Sequence, residues 1–329
     1  MLSMAALALI VASCSNDEEN VPDNKFVNAE PIRISQQMAG VETKGAVTPG
    51  TDMQAVILMA DGDNPDFKNF TPKTDNTVTG KDFTLDTDRA NVSTTTFKAT
   101  TDEDGIEISL TPTLYYPKTA KAWILGVSPQ GAVDVSKVTF NDVDGLQDVM
   151  YAEKVDAGTA AAHTGISPLK FEHKTTQLTF VAKLAKELTG TEWEGQSVSV
   201  TSITVLNAKL PKSLTFSTGV IDWKETNVSV EGCKTQLVLT LCNPSIPLMI
   251  SPADQVMVNL ELSVGGVPKT YTNLVVKNGN KNLATVMGKS HQITFEITPP
   301  VGASDATKIT TSAKVTNWVD GDPGKVEIK

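Results

Sequence analysis

Histidine and cysteine, the residues most used to hold metals and to run acid–base or nucleophilic chemistry, number only three each in 329 residues. Arginine is scarcer still. Arg33 and Arg89 are the only two, and 28 Lys+Arg stand against 38 Asp+Glu for a formal charge of −10. Neutralising a phosphate backbone needs a basic footprint, so nucleic acid is excluded as a partner. His163, His173 and His291 stand singly, with no His-Glu-x-x-His or Cys-His spacing. The chain has no Gly-x-Ser-x-Gly elbow, no phosphate loop and no dinucleotide fingerprint. The acidic loop Asp61-Gly62-Asp63-Asn64-Pro65-Asp66 puts a proline where a calcium loop needs an oxygen ligand, and no glutamate follows at the twelfth position. No catalytic residue, metal ligand or cofactor can be nominated, and the chain reads as non-enzymatic.

Thr and Val are abundant, 41 and 34 residues, and both fit a pleated, half-buried surface. With 40% hydrophobic and 20% charged residues the chain can bury a core. Period-two alternation recurs at Ile106, Ile108 and Leu110, at Leu178, Phe180, Ala182 and Leu184, at Val256 through Val264, and at Ile293, Phe295 and Ile297. Leu237, Leu239 and Leu241 alternate as well, while Ala55–Met59 and Trp123–Val127 are apolar on both faces. Turn chemistry such as Asp144-Gly145, Asn278-Gly279-Asn280 and Asp320-Gly321-Asp322-Pro323-Gly324 separates the runs. The pattern predicts an all-β protein of antiparallel sandwiches, with Lys183–Leu188 the best short helix.

Ala5–Ala12 is an apolar run of signal-peptide length, too short for a permanent transmembrane helix. Val11-Ala12-Ser13-Cys14 matches a bacterial lipobox, which makes residues 1–13 a lipoprotein signal peptide and Cys14 the lipidated first residue of an extracytoplasmic chain. No Lys or Arg precedes the run, a departure from the usual signal n-region. The acidic stretch Ser15–Asn20 reads equally as a surface-export flag or as a solvated tether. Since the mature chain stays acidic, the acyl chains rather than charge must hold it to outer-membrane lipid.

Residues 14–45 are expected to form the tether and first strand, 46–165 an N-terminal β domain and 166–329 a C-terminal one. The boundary falls in Asp156–Pro168, which is rich in Ala, Gly, Thr and Ser and reads as a linker. Cys233 and Cys242, nine residues apart in a strand-like stretch, are expected to be reduced, packed thiols. For a carbohydrate site the aromatic candidates are Trp123, Trp193, Trp223 and Trp318. Trp193, in a loop-like setting, is the best single candidate for exposure.

Several local signatures, taken in order, resemble the fimbrillin-like (type V pilin) family of surface lipoproteins. They are Leu114-Tyr115-Tyr116-Pro117, Trp123–Pro129, Gln147-Asp148-Val149-Met150-Tyr151-Ala152, Leu169–Leu178 and Val315-Thr316-Asn317-Trp318. The resemblance implies two transthyretin-like β-sandwich domains in tandem. It also implies lipoprotein export and, in polymerising members, removal of the first strand by a trypsin-like protease. The vacated groove is then filled by a strand from the next pilin subunit, head to tail.

In this sequence the removable strand would be Pro31–Ser35, with Ile32 and Ile34 facing inward. The family cleaves after an arginine in the loop that follows; here Thr43-Lys44-Gly45 stands in that place. Lys44 is therefore the expected cut, leaving Gly45 first, with Arg33 the competing site. The expectation is a structural subunit of a surface fimbria serving adhesion, either polymerised or left uncleaved as a lipid anchor. The alternative is a monomeric surface lipoprotein that binds glycan or a host ligand through its loops.

Overall fold

The computed structural model describes residues 31–38, 52–68, 71–73, 89–98, 106–111, 113–117, 120–163, 166–232, 234–302 and 304–317. Cys14, Lys44, Gly45, Cys233 and Trp318 lie outside the described residues.

Strands account for every regular element among them. The first are β1 (Arg33–Met38), β2 (Asp52–Asp61), β3 (Thr71–Lys73), β4 (Arg89–Lys98) and β5 (Ile106–Ile108). Next come β6 (Ala122–Ser128), β7 (Gly131–Asp134), β8 (Lys137–Phe140), β9 (Met150–Gly158) and β10 (Ile166–His173). The chain continues through β11 (Thr176–Leu184), β12 (Val198–Thr215), β13 (Ile221–Ser229), β14 (Thr235–Gln236) and β15 (Leu248–Ile250). It ends with β16 (Met257–Val264), β17 (Val267–Val275), β18 (Lys277–Asn278), β19 (Lys281–Asn282), β20 (Lys289–Thr298) and β21 (Lys308–Asn317).

One eight-stranded sheet takes the order β3-β4-β2-β6-β9-β10-β1-β5. It curls back on itself, because the segment after β5 returns to β4: Thr94 and Thr111 exchange both backbone hydrogen bonds at 2.8 and 2.9 Å, and the Thr95 hydroxyl donates to Ser109 O at 2.7 Å. The curl encloses a core of Ile34, Met53, Ile57, Met59, Phe97, Ile124, Leu169 and Phe171. Gly126 lets the Phe171 ring lie against β6, since a Cβ there would stand 2.6 Å from the ring.

A four-stranded sheet, β15-β11-β20-β21, and a seven-stranded one, β17-β16-β12-β8-β7 with β13 and β14 also on β12, share the largest core. The alternation of β16 and β20 puts Val258, Leu260, Leu262, Ile293, Phe295 and Ile297 into it.

β12 joins the two halves. Bulges at Val205/Ala208 and Pro211/Ser213 break its pairing with β13 into segments, and its far end pairs with β8 at Ser213–Thr215. Leu214 and Phe216 there pack on the outer face of β2 and β6 with Val56, Leu58, Leu125 and Val127. That contact is why Ala55–Met59 and Trp123–Val127 are apolar on both faces. Tyr151 donates its hydroxyl to Phe216 O at 2.6 Å, and burial pushes that phenol up to about 12. Gly219, at φ +64°, makes room for the Tyr151 ring, which a Cβ would meet at 2.6 Å.

Four sequence expectations change. Lys183 and Leu184 end β11 and no helix follows among the described residues. Asp156–Pro168 is not a linker, because β9 runs to Gly158 and β10 begins at Ile166. The N-terminal sheet keeps β10, which pairs with β1 and β9, so a division at residue 165 would cut that sheet. After β10 the chain turns between His173 and Thr176 and enters the four-stranded sheet at β11.

Leu237–Leu241 is not a strand beyond β14. Leu237 is buried, whereas Leu239 and Leu241 are exposed. From Val238 to Ser245 the chain lies along β11 by mixed bonds: Leu184 N donates to Val238 O at 2.8 Å, but Phe180 N donates to Ser245 Oγ at 3.0 Å and Ala182 N to Cys242 Sγ at 3.1 Å. A ladder interrupted this way cannot continue as a strand.

His291 on β20 is fully buried, between Leu178 and Val315 in register. Its Nε2 accepts from Val286 N at 3.3 Å, and desolvation pushes the imidazole pKa down to about 4. A base whose folded pKa lies below its unfolded value favours folding while neutral, and that advantage is lost as pH falls from 6.5 towards 4. Urea unfolding at pH 7 and pH 4.5 is expected to show an acid loss that His291→Gln reduces by up to about 3 kcal/mol. Equal losses in both proteins would refute this assignment.

Candidate functional site

β1 has few residues and a central place. It runs parallel to β10, from Arg33 opposite Ile166 to Met38 opposite Phe171. On its other side it runs antiparallel to β5, with Ile34 opposite Ile108. Just before it, Ile32 N donates to Leu114 O at 2.8 Å and Pro31 bridges Tyr115. The strand is thus paired on both flanks, and β5 has no other ladder partner in the sheet order.

Alternation sorts its side chains. Ile32 is 5% exposed and Ile34 is 0% exposed, both inside the N-terminal core. Burying two isoleucines contributes roughly 1.5–3 kcal/mol each relative to exposure. Gln36 continues the inward row and is fully buried, where its amide donates to Lys98 O at 2.6 Å. Arg33 points out and forms a two-pronged pair with Glu107 on β5, at 2.6 and 2.5 Å. The guanidinium holds the Glu107 carboxyl below its ordinary range. Both partners are about half exposed, so the pair contributes little to stability and much to geometry.

Backbone cleavage at Arg33 would require its peptide to leave two ladders at once, which needs local unfolding. Taking β1 out would strip ladder partners from β10 and β5 and expose a furrow lined by the side chains that now touch Ile32 and Ile34.

The other candidates lie apart from this seat. Trp193 is buried, 3% exposed, and the expectation that it faces solvent is wrong. Residues 188–196 form a chain of turns, with Thr191 Oγ1 donating to Leu188 O at 2.6 Å and accepting from Trp193 N at 3.2 Å. These bonds aim the indole into the C-terminal core. An exposed aromatic to stack on a sugar is therefore missing at that position. Trp123 is half-buried, donating to Gly62 O at 3.0 Å, and Trp223 packs at the edge of the core between the halves.

In the acidic loop Lys154 Nζ donates to Asn64 Oδ1 and Pro65 O at 2.6 and 2.7 Å. An ammonium from β9 thus takes the oxygens a metal ion would use. Asp66 is held below its ordinary range by the Lys68 backbone N–H. Among the described residues no three His, Cys, Asp or Glu side chains gather as a metal site.

Sequence reasoning missed Gln36 and Glu107. A polar residue in an alternating strand is normally assigned to solvent, and the partner of an exposed arginine 74 residues away leaves no local trace.

No curated protein matches the chain in sequence. Among solved structures it is similar to a candidate cell adhesion protein of Bacteroides uniformis, at 19% identity over 87% of this chain and 98% of that one, TM-score 0.46. It is similar to a fimbrial protein of Bacteroides vulgatus, at 12% identity over 87% and 99%, TM-score 0.49. A third is the fimbrial anchor protein Mfa2 of Porphyromonas gingivalis, at 12% identity over 88% and 98%, TM-score 0.42. The family model described as fimbrillin-like matches residues 73–318, well over half of the sequence. The chain belongs to the fimbrillin-like family.

Proposed function

We propose that this protein is a pilin-like adhesion subunit of the cell surface, exported as a lipoprotein on Cys14 and assembled by strand replacement after its first strand is removed. The observation that carries the reading is the seat of β1: an inner strand, paired on both sides, with Ile32 and Ile34 in the core. A strand so placed leaves an apolar slot with two rows of unpaired backbone groups, and a strand from another subunit is the natural filler. Contacts made head to tail do not close, so they give filaments. Family membership supports the adhesive, non-enzymatic role. In this reading the chain is two transthyretin-like sandwiches in tandem, divided in the turn between His173 and Thr176.

The cut is placed at Lys44–Gly45, by a trypsin-like protease. The test is limited trypsin digestion of the native mature protein. It should give one cut between Arg33 and Gly45, followed by a ladder of multimers on mild electrophoresis. Lys44→Ala should abolish both. A clean cut with no multimers, or no cut in that interval, defeats the polymerising reading. The first residue of protein taken from its own cell surface then tells anchor from polymer: lipidated Cys14 for the one, Gly45 for the other.

A further inference from the structure

We infer that the β1 seat is selective: it takes a strand with the order apolar, cationic, apolar, hydroxyl, amide, read by Glu107 at the second position and by the Lys98 carbonyl at the fifth. The inference rests on the strand-replacement reading and specifies its partner.

The argument is one of complementarity at each position of the seat. Ile32 and Ile34 fill the furrow and accept any apolar side chain of similar size, so they hold a strand without choosing it. Ser35 is small and buried, 3% exposed, which limits the fourth position to a short side chain. Choice comes from the two polar contacts. With Arg33 gone, Glu107 is an acidic group at the mouth of the slot, on the strand that flanks it antiparallel. Glu107 stands opposite Ser35 in register and is reached diagonally from the second position; a cation there restores a two-pronged pair, and an anion meets a like charge on the diagonal. With Gln36 gone, the part-buried Lys98 carbonyl lacks the amide that now donates to it. An aliphatic residue at that position leaves the carbonyl without a donor, whereas the amide supplies one and keeps its own Oε1 buried without a partner.

Direction is fixed as well. β10 is paired in parallel and β5 antiparallel, so the entering strand must run with β10 for its second residue to reach Glu107 and its fifth to reach Lys98. Reversal exchanges the first position with the fifth and the second with the fourth, which puts the amide in the apolar Ile32 seat, an apolar residue against the Lys98 carbonyl and the cation in the buried seat of Ser35.

The test uses the full chain with a site-specific protease sequence in place of Lys44 and its neighbours, nicked and left folded. Fluorescent peptides spanning Ala29–Met38 are offered to it, and exchange is followed by anisotropy. The native peptide should enter. The Arg33→Glu and Gln36→Leu peptides should each bind roughly tenfold more weakly. Glu107→Lys in the protein should weaken the native peptide and restore the Arg33→Glu peptide, a swap that a merely structural role of Glu107 would not produce. If the native peptide fails to enter, the strand-replacement reading falls and this inference with it. If it enters but the charge swap changes nothing, the seat is indiscriminate and only this inference is overturned.

Discussion

Asp148→Ala is expected to lower the stability of the folded chain by about 3 to 5 kcal/mol, among the largest effects of any single surface-distant substitution here. Asp148 and His173 have side chains only 2% exposed, with Oδ2 and Nδ1 2.8 Å apart. The Thr175 hydroxyl donates to the other carboxylate oxygen at 3.3 Å. The pair sits where the chain leaves the N-terminal sheet, and its surroundings are tied down too. Lys174 N donates to Val149 O at 2.7 Å, and Gly288 N, from the turn before β20, donates to Thr175 O at 2.9 Å.

Removing the carboxylate leaves an imidazole and a hydroxyl buried beside a cavity, without the acceptor they now share. Asp148→Asn keeps an oxygen that can accept from Nδ1–H and should recover part of the loss. The measurement is urea unfolding of Asp148→Ala, His173→Ala and the double variant. Coupling predicts that the double variant is much less destabilised than the sum of the singles, since each single strands the other partner. Additive losses, or a loss below about 1 kcal/mol for Asp148→Ala, would show that the pair does not lock this turn.

What could be read in advance depended on whether a residue's neighbours lay in its own strand. β16 and β20 were legible because each buries one face against one core, so polarity alternates along the chain. The two-faced burial of Ala55–Met59 was legible as a run, but not its cause. Its cover comes from Leu214 and Phe216, over 150 residues downstream, brought there by β12. Leu237–Leu241 misled because alternation says nothing about whether a partner edge is free. Beside β11 two of the acceptors are the Ser245 and Cys242 side chains instead of carbonyls.

Asp156–Pro168 misled through composition: small residues suit a linker and suit equally the tight approach of Gly158 to Ala162 and His163 at the end of β9. Trp193 shows the same limit in a turn, where local bonds decide the aim of a side chain. Within the candidate site the inward row Ile32 and Ile34 could be placed from spacing alone. Gln36 could not, because its burial is made tolerable by one carbonyl at the end of β4.

Ile34→Ala is expected to cost about 2 to 5 kcal/mol, because Ile34 is 0% exposed in a core already closed around it and the cavity has little room to collapse. The effect should divide in a telling way. In the intact chain the loss appears in global stability. In a chain nicked in the loop after β1 it appears in how firmly β1 is held, where even 2 kcal/mol is roughly a thirtyfold weaker grip. Arg33→Ala, which removes an exposed pair, should cost less than about 1 kcal/mol in the intact chain.

The two substitutions therefore separate holding from choosing. In the strand-replacement reading Ile34 keeps the strand in its seat, while Arg33 and its contact to Glu107 fix which strand fits. A subunit that must surrender its first strand needs the apolar grip to be concentrated at a few positions, so that local unfolding releases it as a unit once the covalent link is cut. Hydrogen exchange of the β1 amides is the direct measure. In the nicked Ile34→Ala protein they should exchange far ahead of those in β2 and β6. If they exchange together with those strands, β1 is held as part of one cooperative core, and its release by a single cut is ruled out.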